Sequence, residues 1–161
     1  MAAQDIDSPG PPKRVLFVCC NNSERSQMAA AVLNAKYGRR FEALSAGIEP
    51  SGSVDERAVK VMNEIGLDIS RNKSKSVDEL IRPGVTFDYV ITTCDKAQRE
   101  CPYFPDAQQV HAGFNDPQPF YGTEDEKLVR MRAVRDQIVE WVDRFFGPRA
   151  SLLQLEEQPV R

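Results

Sequence analysis

The sequence predicts a single α/β domain built around a mostly parallel sheet, on three observations. Short apolar strands alternate with longer segments whose apolar residues recur every three or four positions, which is the helical period. Capping signatures and glycines separate these segments. The chain has 161 residues, of which 41% are hydrophobic and 28% charged, so it suits one globular domain with a substantial core.

The first half of the domain is predicted to alternate strand, helix, strand and helix. An apolar strand at residues 14 to 18 precedes a helix that begins near Arg25, and a second strand covers residues 41 to 44. The capping signature at residues 53 to 56 predicts the start of a second helix. The inward positions expected in these two helices are Met28, Ala29, Val32, Leu33 and Ala35, then Ala58, Val61, Met62 and Ile65.

The second half repeats this alternation. Capping signatures at residues 76 to 79 and 123 to 126 predict a short helix and the longest helix of the chain. Residues 87 to 93 form the clearest strand, and a weaker strand spans residues 109 to 112. The inward positions expected in the longest helix are Leu128, Met131, Val134, Ile138, Val142 and Phe145.

Both ends of the chain are predicted to lie outside the domain. The run Ser8-Pro9-Gly10-Pro11-Pro12 fits neither a helix nor a central strand, so residues 1–12 are expected to form a flexible N-terminal tail. The domain is expected to cover residues 13–147. Residues 148–161 are expected to form a C-terminal tail.

Charge and composition argue against several classes of protein. The net charge is -3 and the estimated pI is 5.3, so the chain as a whole attracts neither nucleic acid nor an anionic membrane. No apolar run approaches the ~20 residues of a membrane span, and the N-terminus lacks the pattern of a secretory signal, so a cytoplasmic location is expected. Neither cysteine pair has the spacing of zinc ligands and His111 is the only histidine, so no metal or other cofactor is expected.

The segment richest in chemistry is Cys19-Cys20-Asn21-Asn22-Ser23-Glu24-Arg25-Ser26, between the first strand and the first helix. A cysteine there has its sulfur among backbone N–H groups at a helix N-terminus, where an oxyanion can bind. The helix end and Arg25 favour the thiolate, so the pKa of Cys19 is expected to lie below the ~8.5 of a free cysteine. Arg25 adds a planar fork that matches a tetrahedral anion. The alternative is a buried cysteine beside an unrelated surface arginine.

Two more residues are predicted to lie near Cys19. Strands that alternate with helices are typical of a single-domain, flavodoxin-like fold of three layers, here with a four-stranded parallel sheet in the order 2-1-3-4 and helices on both faces. Ligands bind beyond the carboxyl ends of such strands. Cys19, Cys94 and Asp116 follow the first, third and fourth predicted strands, so we expect them to converge at one edge. Chance proximity of polar loop residues is the alternative.

Five segments carry a resemblance to a known family. They are Cys19 to Arg25 with Ser26-Gln27-Met28-Ala29, Ser45-Ala46-Gly47-Ile48-Glu49, Gly66-Leu67-Asp68-Ile69-Ser70, the pair Cys94 and Cys101, and Gly113-Phe114-Asn115-Asp116-Pro117. With them, roughly residues 13 to 147 resemble the low-molecular-weight protein tyrosine phosphatase family, and within it the thioredoxin-coupled arsenate reductase branch.

The resemblance implies a role for each reacting residue. Cys19 is implied as the nucleophile, Arg25 as the oxyanion clamp and Asp116 as the proton donor to the leaving oxygen. In the reductase branch, Cys94 would attack the arsenate adduct of Cys19, and Cys101 would then take over the disulfide for thioredoxin to reduce. Phosphate or sulfate would compete with arsenate for the same loop.

The remaining loop residues are expected to hold the anion site together. Asn22 is expected to brace the loop, and Ser26 to donate a hydrogen bond to Cys19, with ordinary helix capping as the rival explanation. Cys20, Asn21, Ser23 and Glu24 complete the loop, and no catalytic role is assigned to the Cys20 thiol.

Several positions depart from the family's pattern. Asn21 replaces a glycine that can require a positive φ. Glu24 replaces a cysteine, serine or threonine, and its carboxylate would repel a bound oxyanion unless it faces solvent or pairs with a cation. Some reductases of this type bind potassium through acidic residues where this chain has Ala30 and Lys75, so the Lys75 side chain is expected to supply the positive charge instead.

Three functions remain open from the sequence. Arsenate reduction is favoured because Cys94 and Cys101 accompany Cys19, and thioredoxin is the implied reductant, with a glutaredoxin or a small thiol as alternatives. A tyrosine phosphatase that uses Cys19, Arg25 and Asp116 is the second reading. An oxyanion-binding regulatory protein with a weakened loop is the third, because of Asn21 and Glu24.

Overall fold

The structure is a computed structural model that describes residues 10–117 and 121–148. The elements in these two ranges are β1 (Lys13–Cys19), α1 (Arg25–Tyr37), β2 (Phe41–Gly47), α2 (Glu56–Asn63), a 3₁₀ helix (Val77–Leu80), β3 (Tyr89–Thr92), α3 (Asp95–Glu100), β4 (Gln108–His111) and α4 (Glu124–Phe146). Within them, no helix combines the length and the apolarity needed to cross a membrane.

The four strands form one parallel sheet in the order β2-β1-β3-β4, which confirms the predicted topology. Cys19 pairs with Gly47 at the end of β1, and Thr92 at the end of β3 pairs with His111 at the end of β4. The carboxyl ends of all four strands therefore meet at one edge. The inner strands β1 and β3 are the most buried, as expected for strands that are covered on both faces.

Helices cover the sheet on both faces and complete the three layers. α1, α2 and α4 pack against one face, where Val15 and Phe17 of β1 contribute to the larger apolar core. The 3₁₀ helix, α3 and Phe104 pack against the other face, with Leu16 and Val18. The alternation of these β1 side chains follows from the two-residue period of a strand.

The start of α2 differs from the prediction. Asp55, and not Ser53, is the N-cap, and its carboxylate accepts a hydrogen bond from the backbone N–H of Arg57 at 2.8 Å. The backbone N–H of Asp55 is itself bound to the carbonyl of Ser23 at 2.9 Å. This contact with the segment after β1 holds Asp55 in place, so the helix begins two residues later than its capping signature suggested.

Other elements are corrected at their ends. Ile65 is 41% exposed because α2 stops at Asn63, and Ala35 is exposed on α1, so neither is a core residue. The capping boxes at Ser76 and Thr123 are confirmed, although the first opens a single 3₁₀ turn. β3 is shorter than predicted, and β4 keeps its predicted length but begins and ends one residue earlier. The sequence did not predict α3.

The domain boundaries remain a prediction. The first described strand begins at Lys13 and the last helix ends at Phe146. Most of the two expected tails, residues 1–12 and 148–161, lies outside the described residues.

Candidate active site

Residues 19–26, named here the Cys19 loop, surround the sulfur of Cys19 with hydrogen-bonding groups. The Sγ atom lies 2.8 Å from the hydroxyl of Ser26 and accepts the backbone N–H of Asn22 at 3.0 Å. Cys19 is 4% exposed. The loop turns through Asn22, whose φ of 52° is the only positive value among the described residues other than glycine. A strand that ends in a tight turn before a helix therefore encloses one thiol.

Asn21 does not have the positive φ that its replacement of a glycine suggested. Its side-chain amide donates to the carbonyl of Glu49 at 2.9 Å, and its own carbonyl accepts from Ser51 at 3.1 Å. These two bonds hold Asn21 alongside the chain that follows β2. The left-handed turn consequently falls on the next residue, Asn22, and asparagine tolerates that conformation better than most residues.

The side chain of Asn22 braces the loop and orients Ser26. Its oxygen accepts hydrogen bonds from the backbone of Lys75 at 2.9 Å and from the amide of Gln27 at 3.1 Å. Its nitrogen therefore points to the Ser26 hydroxyl, to which it donates at 2.8 Å. With that oxygen occupied as an acceptor, the Ser26 proton is available to Cys19, which is the geometry expected for stabilising a thiolate.

Two residues support this site in ways that the sequence did not predict. Gln27 is buried and ties the loop to the carbonyl of Lys73 at 3.2 Å. Gly47 ends β2 directly under the loop, where a Cβ would lie 2.9 Å from Asn22 N and from the Cys20 carbonyl. Only glycine allows this approach. Both lie in segments that carry the family resemblance, but their contacts depend on residues distant in sequence.

The predicted depression of the Cys19 pKa is wrong for this structure. Burial of the sulfur raises the pKa of Cys19 above its ordinary value, because a thiolate loses its hydration there. Hydrogen bonds from Ser26 and Asn22 and the charge of Arg25 lower the pKa, but they do not outweigh burial. Ionisation of Cys19 therefore depends on these donors, and their removal would leave a more inert thiol.

Arg25 links the Cys19 loop to the segment that carries Asp116. Its guanidinium donates to the carbonyl of Phe114 at 3.2 Å. Phe114 and Pro117 are buried on either side of Asp116, while Asp116 itself is exposed. The segment is thus anchored around a carboxyl that solvent can reach, on the loop that follows β4.

Cys94 and Cys101 lie at the two ends of the short helix α3. Cys94 is buried and is the N-cap, with its sulfur accepting from the backbone of Ala97 at 3.4 Å. The backbone N–H of Thr93 donates to Val18 at 2.8 Å, which sets Cys94 beside the end of β1. Cys94 and Cys19 belong to the same apolar cluster, and half-buried Cys101 packs against it. The structure therefore brings all three thiols to one side of the sheet.

Residues 94–101, named here the α3 segment, cannot form an internal disulfide in this conformation. All four cysteines are free thiols. Seven residues of helix span about 10 Å, whereas disulfide-bonded Cα atoms lie within ~7 Å. Burial raises the pKa of Cys101 to about 11. Formation of a Cys94–Cys101 bond thus requires α3 to unwind, which also exposes Cys101.

Cys20 lies between these two parts of the site. It is half-buried, its carbonyl accepts from Glu49 at 2.8 Å, and burial raises its pKa. Glu49 also binds Lys96 of α3 at 2.6 Å. The backbone of Cys20, and not its thiol, makes the contacts that support the loop.

Two charged residues complete the surroundings of the loop. The sequence left open whether Glu24 faces solvent, pairs with a cation or weakens the site, and at 7% exposed it does not face solvent. Lys75 is half-buried, and burial lowers its pKa. In the part of the chain that the structure describes, no three histidine, cysteine, aspartate or glutamate side chains are grouped to hold a metal ion. Replacement of a potassium ion by Lys75 stays a prediction.

The sequence is similar to those of known proteins. Residues 14–158 match the sequence profile of the family described as low molecular weight phosphotyrosine protein phosphatase. An arsenate reductase of Halalkalibacterium halodurans is 42% identical over 135 residues, which cover 83% of this chain and 94% of the relative.

Two solved structures have the same architecture. An arsenate reductase in its phosphate-binding state superposes with a TM-score of 0.69 and 29% identity, covering 82% of this chain and 95% of the other. A thioredoxin-dependent arsenate reductase of Corynebacterium glutamicum has a TM-score of 0.59 and 26% identity, covering 97% of this chain and 69% of the other.

Proposed function

The chain belongs to the low molecular weight phosphotyrosine protein phosphatase family, and on that premise we propose that it reduces arsenate to arsenite. The observation that carries the proposal is the set of three thiols: Cys19 in an oxyanion loop, with Cys94 and Cys101 at the ends of one short helix on the same side of the sheet. Hydrolysis of a phosphate ester needs one thiolate and an acid. Two-electron reduction needs a second sulfur.

The first step joins arsenate to Cys19. Arg25 and the backbone N–H groups of the Cys19 loop hold the oxyanion, and the hydroxyl of Ser26 stabilises the thiolate. The sulfur displaces one oxygen, so an S–As bond forms and an As–O bond breaks. Asp116 gives that oxygen a proton, and it leaves as water. Phosphate and sulfate compete because they have the same shape and charge.

The second step moves two electrons to arsenic. The sulfur of Cys94, after losing its proton, attacks the sulfur of Cys19, so an S–S bond forms and the S–As bond breaks. The electron pair of the broken bond stays on arsenic, which leaves as arsenite. Cys19 and Cys94 have each been oxidised by one electron.

The third step regenerates Cys19. As α3 unwinds, Cys101 attacks Cys94 and frees the thiolate of Cys19, so the disulfide passes to Cys94 and Cys101. An external dithiol then reduces this bond. Thioredoxin is the donor we infer, supported by the relative from C. glutamicum that is described as thioredoxin-dependent. Thioredoxin keeps thiols reduced in the cytoplasm, which is therefore the compartment we infer.

A tyrosine phosphatase is the second candidate, because the family bears that name and Cys19, Arg25 and Asp116 suffice for ester hydrolysis. It would leave Cys94 and Cys101 without a part in turnover. A protein that only binds oxyanions would use none of these thiols.

Arsenate-dependent oxidation of NADPH, coupled through thioredoxin and its reductase, separates the three candidates. We expect steady turnover by the parent chain, and a loss of about a hundredfold or more in each of C19S, C94S and C101S. C20S is the matched control, because it removes a loop thiol but keeps the backbone contacts of residue 20, and we expect at most about a threefold loss.

The proposal is wrong if C94S and C101S both retain parental turnover, or if the parent hydrolyses aryl phosphates without arsenate-dependent NADPH oxidation. Binding of arsenate without either reaction would favour the regulatory reading.

A further inference from the structure

An ion pair between Glu49 and Lys96 joins the surroundings of the Cys19 loop to the α3 segment. Nζ of Lys96 lies 2.6 Å from Oε1 of Glu49, and the two side chains are 33% and 65% exposed. The hydrogen bond to Glu49 raises the pKa of Lys96, so the lysine stays charged at neutral pH. An exposed pair contributes little to the stability of a fold. Its importance therefore depends on the two segments that it joins.

Glu49 is held beside the Cys19 loop through its backbone. Its N–H donates to the carbonyl of Cys20 at 2.8 Å, and its own carbonyl accepts the side-chain amide of Asn21 at 2.9 Å. The N–H of Ile48 donates to the carbonyl of Cys19 at 3.0 Å. The chain that follows β2 is thus aligned with the residues that carry the reacting sulfur, and Glu49 extends its carboxylate from there.

Lys96 lies in the first turn of α3, two residues after Cys94. The sulfur of Cys94 caps this turn, since it accepts the backbone N–H of Ala97 at 3.4 Å. The next residue, Asp95, has its carboxylate 3.6 Å from Nε2 of His111, at the end of β4. Because β2 and β4 are the two outer strands, the contacts to Glu49 and to His111 hold the turn from both sides.

The second half of α3 is more exposed than the first. Residues 98–100 are exposed, whereas Ala97 in the first turn is buried. A segment with few buried contacts opens more easily than a packed one. The unwinding that a Cys94–Cys101 bond requires is therefore expected to begin at Cys101, while the turn next to Cys94 keeps its contacts.

We propose that Lys96 is a positioning residue for the second step, which holds the first turn of α3, and with it the sulfur of Cys94, against the Cys19 loop through Glu49. The inference rests on the proposed reduction of arsenate. In that step an S–S bond forms between Cys94 and Cys19, the S–As bond breaks, and its electron pair leaves with arsenic. A small displacement of an attacking atom slows a reaction strongly, so this pair matters more for the rate than for stability.

The test is the release of arsenite in a single turnover of the full chain carrying C101S, with saturating arsenate and no reductant. At saturation, the rate reports the attack of Cys94 and not the capture of arsenate. We expect K96Q and E49Q each to slow release about fivefold. K96R keeps the charge and should stay within about twofold of the C101S chain. Exchange of the two charges, in E49K/K96E, should restore the rate to the same extent.

The direction of the two single effects separates positioning from a simple effect of charge. The charge of Lys96 attracts an oxyanion, and the charge of Glu49 repels one. If the two residues acted only through their charges on the bound anion, K96Q and E49Q would change the rate in opposite directions. Positioning requires both variants to be slower.

Lys36 provides a matched control. Its Nζ lies 2.8 Å from the carboxylate of Asp143, in a partly exposed pair that joins α1 to α4. Lys36 is in the last turn of α1, at the end of the helix that is farthest from the Cys19 loop. K36Q in the C101S chain should therefore leave the rate of arsenite release unchanged.

The inference is overturned if K96Q releases arsenite as fast as the C101S chain does, or if K96Q and E49Q act in opposite directions. It is also overturned if the exchanged pair stays as slow as the single variants, or if K36Q slows release as much as K96Q. A C101S chain that releases no arsenite would contradict the proposed function and this inference together. Release that K96Q leaves unchanged would overturn the inference alone.

Discussion

The Cys19 loop and the α3 segment hold their thiols in opposite ways. Around Cys19, Asn22, Ser26 and Gln27 are buried and hydrogen-bonded to one another, so the loop is fixed in advance. In the α3 segment, one short helix separates two cysteines whose sulfurs make only weak contacts at 3.4 Å. Capture of an oxyanion needs a fixed arrangement of donors, whereas disulfide transfer needs a segment that can unwind.

Asn22→Ala, in the fixed Cys19 loop, should have the largest effect of the three substitutions. It leaves the partly buried N–H of Lys75 without its acceptor and places alanine at a positive φ, so we expect a loss of about 2–4 kcal/mol in the free energy of unfolding. Urea denaturation measures it. Asn21→Ala is the matched control, because its exposed amide makes one bond, and we expect it to lose less than about 1 kcal/mol. Equal losses would show that the loop is not held through Asn22.

Ser26→Ala should have the next largest effect, on reactivity instead of stability. The Ser26 hydrogen bond lowers the pKa of Cys19 against the effect of burial, so its loss should raise that pKa further. The fraction of Cys19 that is thiolate at a pH below its pKa then falls. Alkylation of Cys19 by iodoacetamide, followed by mass spectrometry from pH 7 to 10, should be about tenfold slower in the variant at pH 8 and should rise with pH in both proteins. Identical pH profiles would exclude a hydrogen bond from Ser26 to the reacting sulfur.

Gln98→Gly tests whether the α3 segment must unwind, and the expected effect is smaller than that of the other two substitutions. Gln98 is exposed in the middle of α3, so glycine should destabilise the helix by about 1 kcal/mol relative to alanine without disturbing the core. If unwinding must precede the Cys94–Cys101 disulfide, the equilibrium constant for its formation should be about fivefold larger than in Gln98→Ala. Titration in a glutathione redox buffer compares the two variants. A disulfide equally stable in both would mean that α3 remains helical when the bond forms.

The sequence predicted the sheet because its signal is local. An apolar run and a helical period each lie within a few residues of chain, their alternation predicts a parallel sheet, and the strand order is that of a flavodoxin-like fold. α3 was not predicted, because Ala97 is its only buried residue and no apolar period marks it. The start of α2 was misplaced because a contact with Ser23, far away in sequence, decides it.

The same distinction applies to the site: its local features were predicted, and those that depend on the folded chain were not. The sequence placed three residues at one edge of the sheet because each follows a predicted strand: Cys19, Cys94 and Asp116. The pKa of Cys19 was predicted with the wrong sign, because burial is a property of the folded chain.

The most direct test of the central claim is mass spectrometry of the C101S variant after one equivalent of arsenate. With Cys101 absent, the relay should stop after arsenite leaves, and a Cys19–Cys94 disulfide should accumulate to about one per chain. Release of arsenite with all remaining thiols free, or with a bond that involves Cys20 in place of Cys94, would contradict the account.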